Sequence, residues 1–211
     1  RAKVPQVSEV SARLSKLSGM QLEPVPALIS PQKFFELLAE GKFPIATFIR
    51  RREDFDYLEE PDVFHEIFGH CPLLTSPEFA EFVQKFGRAA ITAGPDTYWP
   101  MQRLFWFTVE FGLIEGPEGP RIYGAGILSS PGETLHALES KRAIRRRFDL
   151  LSVLRTPYRI DVFQPIYYVI TDFTELQALF ELDLQAIIRR ADDLGPMDTR
   201  ELSDGKRGQA A

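Results

Sequence analysis

Residues 61–74 read Pro-Asp-Val-Phe-His-Glu-Ile-Phe-Gly-His-Cys-Pro-Leu-Leu and hold two of the chain's three histidines, His65 and His70, with Glu66 beside the first. Two imidazoles this close in a histidine-poor chain point to a metal ion. Their spacing excludes the zinc-peptidase signature His-Glu-x-x-His, whose ligands stand four apart on one face of a helix. Five residues apart, two side chains diverge by about 140° on a regular helix. To share an ion, the helix must distort or end between them. Gly69 suits a helix C-terminus, and Pro72 biases Cys71 away from helical geometry. The sequence therefore predicts that the helix carrying His65 ends at Gly69 and that His70 turns back from its end, beneath loops.

The rest of the chain bounds the context. Its 211 residues, 44% hydrophobic and 12% aromatic, suffice for one compact core. A formal net charge of -5 gives no electrostatic footprint for nucleic acid or an anionic membrane, so neither is expected as a partner. The basic cluster at 141–147 reads as a solvated loop or helix face. A single cysteine, Cys71, rules out an internal disulfide framework and fits a reducing compartment, which makes the cytoplasm the expected location. No apolar run approaches the ~20 residues of a membrane span. Residues 195–211 are polar and without apolar period or heptads, so they are expected to be a disordered tail behind one domain at 1–194.

Several helices mark their own ends. Ser30-Pro31 and Gly41 bracket an apolar-periodic stretch, as do Ser76-Pro77 and Gly87, and Ser130-Pro131 opens another near Glu133. Val7, Val10, Leu14 and Leu17 repeat at helical spacing up to Gly19, and 174–194 reads as one long amphipathic run. Strand candidates are short, at 44–49, 122–128 and 166–170, and show no βαβ rhythm. The expected fold is mainly α with a minor, short-stranded β element.

A third ligand has one obvious source. Residues 104–114 are almost wholly apolar except for Thr108 and Glu110, and a carboxylate there is costly to bury unless it is paired or binds a metal. Two histidines and one carboxylate make the facial triad of non-haem iron(II) oxygenases. The residues alone leave alternatives open: Glu110 paired with Arg103, seven residues earlier, and the histidines as a helix cap or core residues of a non-catalytic binding module. A zinc hydrolase with Glu66 as general base is a further reading.

With Phe-Thr-Val-Glu-Phe-Gly at 107–112, Tyr-Gly-Ala-Gly-Ile-Leu-Ser-Ser at 123–130 and Phe-Gln-Pro at 163–165, the histidine segment resembles the catalytic domain of the pterin-dependent aromatic amino acid hydroxylases. The likeness runs from about Val4 to Leu194. Leu-Arg-Thr-Pro-Tyr-Arg-Ile-Asp at 154–161 is most similar to the short bacterial members that act on phenylalanine. The resemblance implies iron(II) on His65, His70 and Glu110. It implies a tetrahydropterin, tetrahydrobiopterin or a bacterial equivalent, against Leu28, Ile29 and Ser30 through their backbone, with Phe34 stacking and Glu66 facing it. Arg50 would hold the amino acid's carboxylate, although composition does not say which of Arg50, Arg51 and Arg52 is buried. Tyr57, Leu58, Glu60 and Pro61 would line the substrate's polar end, with Trp106, Phe111, Gly126 and Ser129 near its ring. Phe105 departs from the tyrosine of animal members. The implied reaction is monooxygenation of L-phenylalanine by O₂ to L-tyrosine, a step of phenylalanine catabolism, by a cytoplasmic monomer. Tryptophan hydroxylation is the closest rival, and Ile160 is compatible with either ring.

Overall fold

The computed structural model describes residues 5–26, 28–54 and 60–198. In chain order, helix α1 (Val7–Ser18) leads into strand β1 (Gln21–Val25), α2 (Pro31–Ala39) and β2 (Lys42–Ala46). A wide helical turn, His65–His70, runs into α3 (Cys71–Leu74), and α4 (Pro77–Ala93) and α5 (Tyr98–Phe105) follow. A second wide turn, Trp106–Glu110, precedes β3 (Leu113–Ile114), β4 (Arg121–Ile122), α6 (Ala125–Leu128) and α7 (Pro131–Glu139). The chain closes with β5 (Ile144–Arg147), α8 (Leu150–Arg155), β6 (Ile166–Ile170), α9 (Phe173–Gln177) and α10 (Leu184–Leu194). The mainly helical character expected from the sequence holds, and no described helix is long and apolar enough to cross a membrane.

The Ser-Pro starts behave as read. Ser30, Ser76 and Ser130 each accept a hydrogen bond from a backbone N–H in the first turn of α2, α4 and α7. Helices α2 and α4 cross at near-backbone contact, because a Cβ on Gly87 would stand 2.4 Å from the Ala39 nitrogen. Around that crossing Phe35, Phe82 and Phe86 form the fully buried centre of the core, and Phe105 meets Phe86 at 5.7 Å between ring centroids. The core thus reaches from the helix crossing to the helix that ends in Glu110.

Several sequence readings change in the structure. The chain does contain βαβ units: β1 and β2 pair in parallel across α2, and β5 and β6 pair in parallel across α8. The sequence hid them because β1, Gln-Leu-Glu-Pro-Val, has one buried position, and because β5, Ile-Arg-Arg-Arg, reads as a charge cluster. β5 is the edge of the sheet ordered β4-β3-β6-β5, a position where charged side chains discourage further pairing. Arg145 there donates to the carbonyls of Ala137 at 2.5 Å and Ser140 at 3.2 Å, in the last turn of α7 and at its C-cap. The strand expected at 122–128 is instead β4 followed by α6, and the one at 44–49 is β2, which ends at Ala46. The run 174–194 breaks into α9, a 3-10 turn at Ala178–Glu181 and α10, because Asp183 caps α10 by accepting from the Ala186 N–H at 2.9 Å. The first residues of the expected tail are held, Met197 N–H donating to Arg155 O at 2.8 Å and Gly195 O accepting from Arg155 Nε at 2.8 Å, while 199–211 lie outside the described residues.

The helix crossing sets a test of this architecture. Gly87→Ala should destabilise the protein by about 1–3 kcal/mol, the usual cost of forcing a methyl group into a packed contact. Chemical denaturation measures it; a variant as stable as the parent would show that α2 and α4 do not approach as described.

Candidate metal centre

The helix carrying His65 does not end at Gly69. It widens into a π turn over His65–His70 in which Cys71 N–H donates to Glu66 O, five residues back. A residue five on then stands over the first, as a residue four on does in an α-helix, so His65 and His70 share one face. Gly69 has a different use from the expected helix stop: a Cβ there would lie 2.8 Å from Ala125 O, so glycine lets α6 pack directly on the wide turn. Pro72 falls in the first turn of α3, where a missing N–H costs nothing. The second π turn ends at Glu110, and Phe111 N–H donates to Trp106 O at 2.8 Å.

Three donor atoms converge. His65 Nε2 and His70 Nε2 are 3.0 Å apart, Glu110 Oε1 is 3.1 Å from His70 Nε2, and Glu110 Oε2 is 3.5 Å from His65 Nε2. With metal–ligand bonds of about 2.1 Å, donors at right angles stand about 3.0 Å apart and donors at the tetrahedral angle about 3.4 Å. The triangle fits one ion held at three corners, and it is the one such cluster of His, Cys, Asp and Glu among the described residues. Arg103, the alternative partner for Glu110, donates instead to Leu154 O.

The protonation states suit ligation. Burial pushes His65 down to about 4, so its imidazole is neutral. Its Nδ1 lies 2.8 Å from Ser129 Oγ, which itself donates to Ala125 O at 2.9 Å. Ser129 must therefore accept from Nδ1–H, which places the proton on Nδ1 and leaves the Nε2 lone pair for a cation. For Glu110 burial acts upward, but the charges of His70 and His65 outweigh it and hold the carboxyl below the usual range. Burial alone would lower His70; Glu110 and Glu66 raise it instead. A cation entering the triangle replaces the proton that His70 shares with Glu110.

Of the three consecutive arginines, Arg50 is the buried one, its side chain 6% exposed, while Arg51 and Arg52 lie at the surface. Its Nε and Nη2 donate to Asp62 Oδ2 at 3.0 Å and Oδ1 at 2.8 Å, and its Nη1 donates to Ser129 O at 2.8 Å. Asp62 also accepts the His65 N–H at 2.9 Å, capping the π turn. Burial acts against the Asp62 anion, but the Arg50 bonds and the two backbone N–H donors prevail and lower its carboxyl. Sequence reasoning assigned Asp62 no role; its signal was an aspartate three residues before His65, at cap spacing.

A cavity of about 320 Å³ opens on the triad. Leu28, Ile29, Phe34, Arg50, Glu60, Pro61, Glu66, Trp106, Phe111, Gly126 and Ser129 all lie on its wall, as do Phe105 and Ile160. Ser30 is off the wall, and its hydroxyl caps α2. Tyr57 and Leu58 lie outside the described residues. Glu66 is buried, its Oε2 has no hydrogen-bond partner and lies 3.9 Å from His70 Nε2, and burial pushes its carboxyl up to about 8. Gly126 packs so tightly under Phe111 that a Cβ would stand 2.7 Å from the ring. The sequence reading also missed what holds Trp106. Tyr158 stacks on it at 4.6 Å, and its Nε1 donates to Gln164 Oε1 at 3.0 Å. The Gln164 N–H and the Tyr167 hydroxyl in turn donate to the fully buried Glu133, at 2.9 and 2.5 Å.

Comparison with known proteins agrees with this centre. The family model for biopterin-dependent aromatic amino acid hydroxylases matches residues 1–190. The phenylalanine-4-hydroxylase of Vibrio cholerae is 53% identical over 189 residues, which is 90% of this chain and 65% of that protein. The chain therefore spans slightly less than two thirds of that relative's length. The solved phenylalanine hydroxylase of Legionella pneumophila superposes with a TM-score of 0.89 at 49% identity, covering 93% of this chain and 85% of that one. The Chromobacterium violaceum enzyme, solved with iron(III) and 7,8-dihydrobiopterin, superposes at 0.85 with 42% identity, covering 92% and 70%.

The hydrogen bond behind His65 is directly testable. Ser129→Ala removes the acceptor that fixes the imidazole tautomer, and such a change weakens metal affinity about 10- to 100-fold. Competition with a calibrated chelator reads this loss; unchanged iron affinity would mean that Ser129 does not orient His65.

Proposed function

The chain belongs to the biopterin-dependent aromatic amino acid hydroxylases, and from that membership we propose that it hydroxylates L-phenylalanine to L-tyrosine with O₂, iron(II) and a tetrahydropterin. The observation that carries the reading is the convergence of His65, His70 and Glu110 on one point at the floor of an aromatic-walled cavity. The zinc-hydrolase and binding-module readings give way to it. Residues 1–194 make up the catalytic domain on this reading, and the chain works as a cytoplasmic monomer, a location in keeping with one buried cysteine.

His65, His70 and Glu110 would hold the iron, and the donor set fits it, because three protein ligands on one face leave the other positions for small molecules. Leu28, Ile29 and Phe34 would flank the pterin, with Glu66 turned to it. Burial favours the neutral carboxyl of Glu66, which can donate a hydrogen bond as well as accept one. When bound, iron(II) and a reduced pterin would supply the electrons that the activation of O₂ requires.

The chain's own contribution is placement. The Arg50 guanidinium, held rigid by Asp62 and Ser129 O, presents its charge on the cavity wall for the amino acid's carboxylate. Glu60 and Pro61 border that polar end. Trp106 and Phe111, 4.5 Å apart, form an aromatic surface for the substrate ring beside the metal donors, and Gly126 admits the Phe111 ring to that place. Fixing the carboxylate at one end and the ring at the other would bring one ring carbon toward the donor triangle, and the apolar wall would limit water there.

Anaerobic loading with iron(II), followed by O₂, tetrahydropterin and each aromatic amino acid in turn, tests the assignment. Tyrosine formed in step with pterin oxidation is expected; hydroxytryptophan as the main product would move the assignment to tryptophan, and no pterin oxidation with any amino acid would end it. His65→Ala, His70→Ala and Glu110→Ala should each abolish turnover and iron retention. Arg50→Lys keeps the charge but loses the fork, and should weaken phenylalanine binding by roughly ten- to a hundredfold. Because Arg50 also anchors Asp62, iron affinity should fall in the same variant; loss of neither would place the carboxylate elsewhere.

A further inference from the structure

One buried carboxyl takes no part in this chemistry. Glu133, on α7, is fully buried, a costly place for such a group, and its Oε2 has no hydrogen-bond partner. Its Oε1 takes two donors, the Tyr167 hydroxyl at 2.5 Å and the Gln164 N–H at 2.9 Å. One turn along the same helix, His136 Nε2 lies 3.2 Å from Gln164 O and, because a carbonyl only accepts, carries the proton there. Helix α7 thus grips Gln164 by both of its backbone groups.

The side chain of Gln164 is used as fully. An indole N–H only donates, so the Trp106 Nε1 contact at 3.0 Å identifies the amide oxygen, and the NH₂ group faces the carbonyls of Arg159 at 2.8 Å and Val162 at 3.1 Å. Those carbonyls flank Ile160, which lines the cavity. Gln164 itself is fully buried and off the cavity wall, so it acts on the cavity's contents through Trp106 and the 159–162 segment. The Trp106 ring packs on Tyr158 at 4.6 Å and 24° and on Phe111 at 4.5 Å and 33°. Stacking tolerates sliding and rotation in the ring plane; a directional bond to the indole N–H does not.

We infer that Gln164, anchored by Glu133, is a positioning residue for the substrate ring: it sets the in-plane rotation of Trp106 and the course of the 159–162 segment, and through them the shape of the cavity's aromatic end. The inference rests on the phenylalanine reading above.

A spectroscopic and a kinetic measurement test it together. The chain has two tryptophans, and Trp99 is 70% exposed. In the ¹⁵N-labelled full chain loaded with diamagnetic zinc(II), the Trp106 indole resonance can therefore be followed against that of Trp99. Gln164→Met, of similar size, should shift the Trp106 resonance and leave Trp99 in place. Glu133→Leu should do the same, whereas Glu133→Gln, which keeps an oxygen for both donors, should stay close to the parent. In the iron(II)-loaded protein, Gln164→Met and Glu133→Leu should lower kcat/KM for phenylalanine about tenfold, the scale of one buried donor left unpaired, with pterin KM and iron content within about a factor of two. Glu133→Gln should restore the parent value.

A Trp106 resonance or a phenylalanine kcat/KM unmoved in Gln164→Met overturns the inference. Equal losses for phenylalanine, pterin and iron overturn it too, because Gln164 would then serve the fold as a whole. Where Glu133→Leu does not fold, Gln164→Met decides. A parent that forms no tyrosine overturns the proposed function and this inference with it, whereas a parent that forms tyrosine beside an indifferent Gln164→Met overturns the inference alone.

Discussion

The wide turn at His65–His70 is the constraint around which the rest of the site is arranged. As an α-turn the same sequence would point its histidines about 140° apart, and no single ion could take both. Isolated π turns are rare, so neighbours must hold this one open. Asp62 fixes its first N–H. Gly69 admits Ala125 to near-backbone contact on its outer side, which puts Ser129, one turn further along, behind the first histidine. The second wide turn, at Trp106–Glu110, delivers the carboxylate to the same point.

Electrostatics then decides which charges survive burial. Arg50 and Asp62 neutralise one another through two parallel hydrogen bonds, and breaking a buried pair of this kind by removing one partner typically costs 3–5 kcal/mol. Neutral His65 and the neutral form of Glu66 favoured by burial add no net charge. The Glu110 anion is left as the charge that a cation meets, with two imidazoles beside it. A divalent ion held here would meet one anion and two neutral ligands, which would leave it a net positive charge toward the cavity. The donor set favours anionic or polarisable ligands at its open positions.

Much of this was legible in the sequence, for physical reasons that differ by element. Ser-Pro starts encode helix origins locally, so α2, α4 and α7 were readable. Doubled histidines and a carboxylate inside an apolar run expose a metal site because burying them otherwise is expensive. The π turn was not legible, since its cause is the packing of α6 on Gly69, which is distant in sequence. The parallel pairs β1–β2 and β5–β6 were hidden because a strand with one buried position, or an edge strand of arginines, lacks the alternation that identifies a half-buried strand. Resemblance supplied the cavity residues individually, but the support behind them, Asp62, Gln164 and Glu133, emerged only from three-dimensional contacts.

The cavity also divides by the kind of support it has. Its metal end rests on helical segments whose register is fixed by backbone hydrogen bonds. Its ring end rests on the segment around Tyr158, Ile160 and Gln164, which carries no regular structure and borders the cavity beside Trp106. That segment joins the helix that carries Glu110 through Tyr158, which stacks on Trp106 and meets Phe107 edge-on at 6.2 Å, and through the Trp106–Gln164 hydrogen bond. Glu133 secures it from behind by taking the Gln164 N–H. Side chains such as Ile160 can therefore vary in size and reshape the ring pocket without straining the donor triangle. On the proposed reading the chemistry would be tied to the helices, and the choice of ring to a loop that Trp106 and Phe107 couple to them.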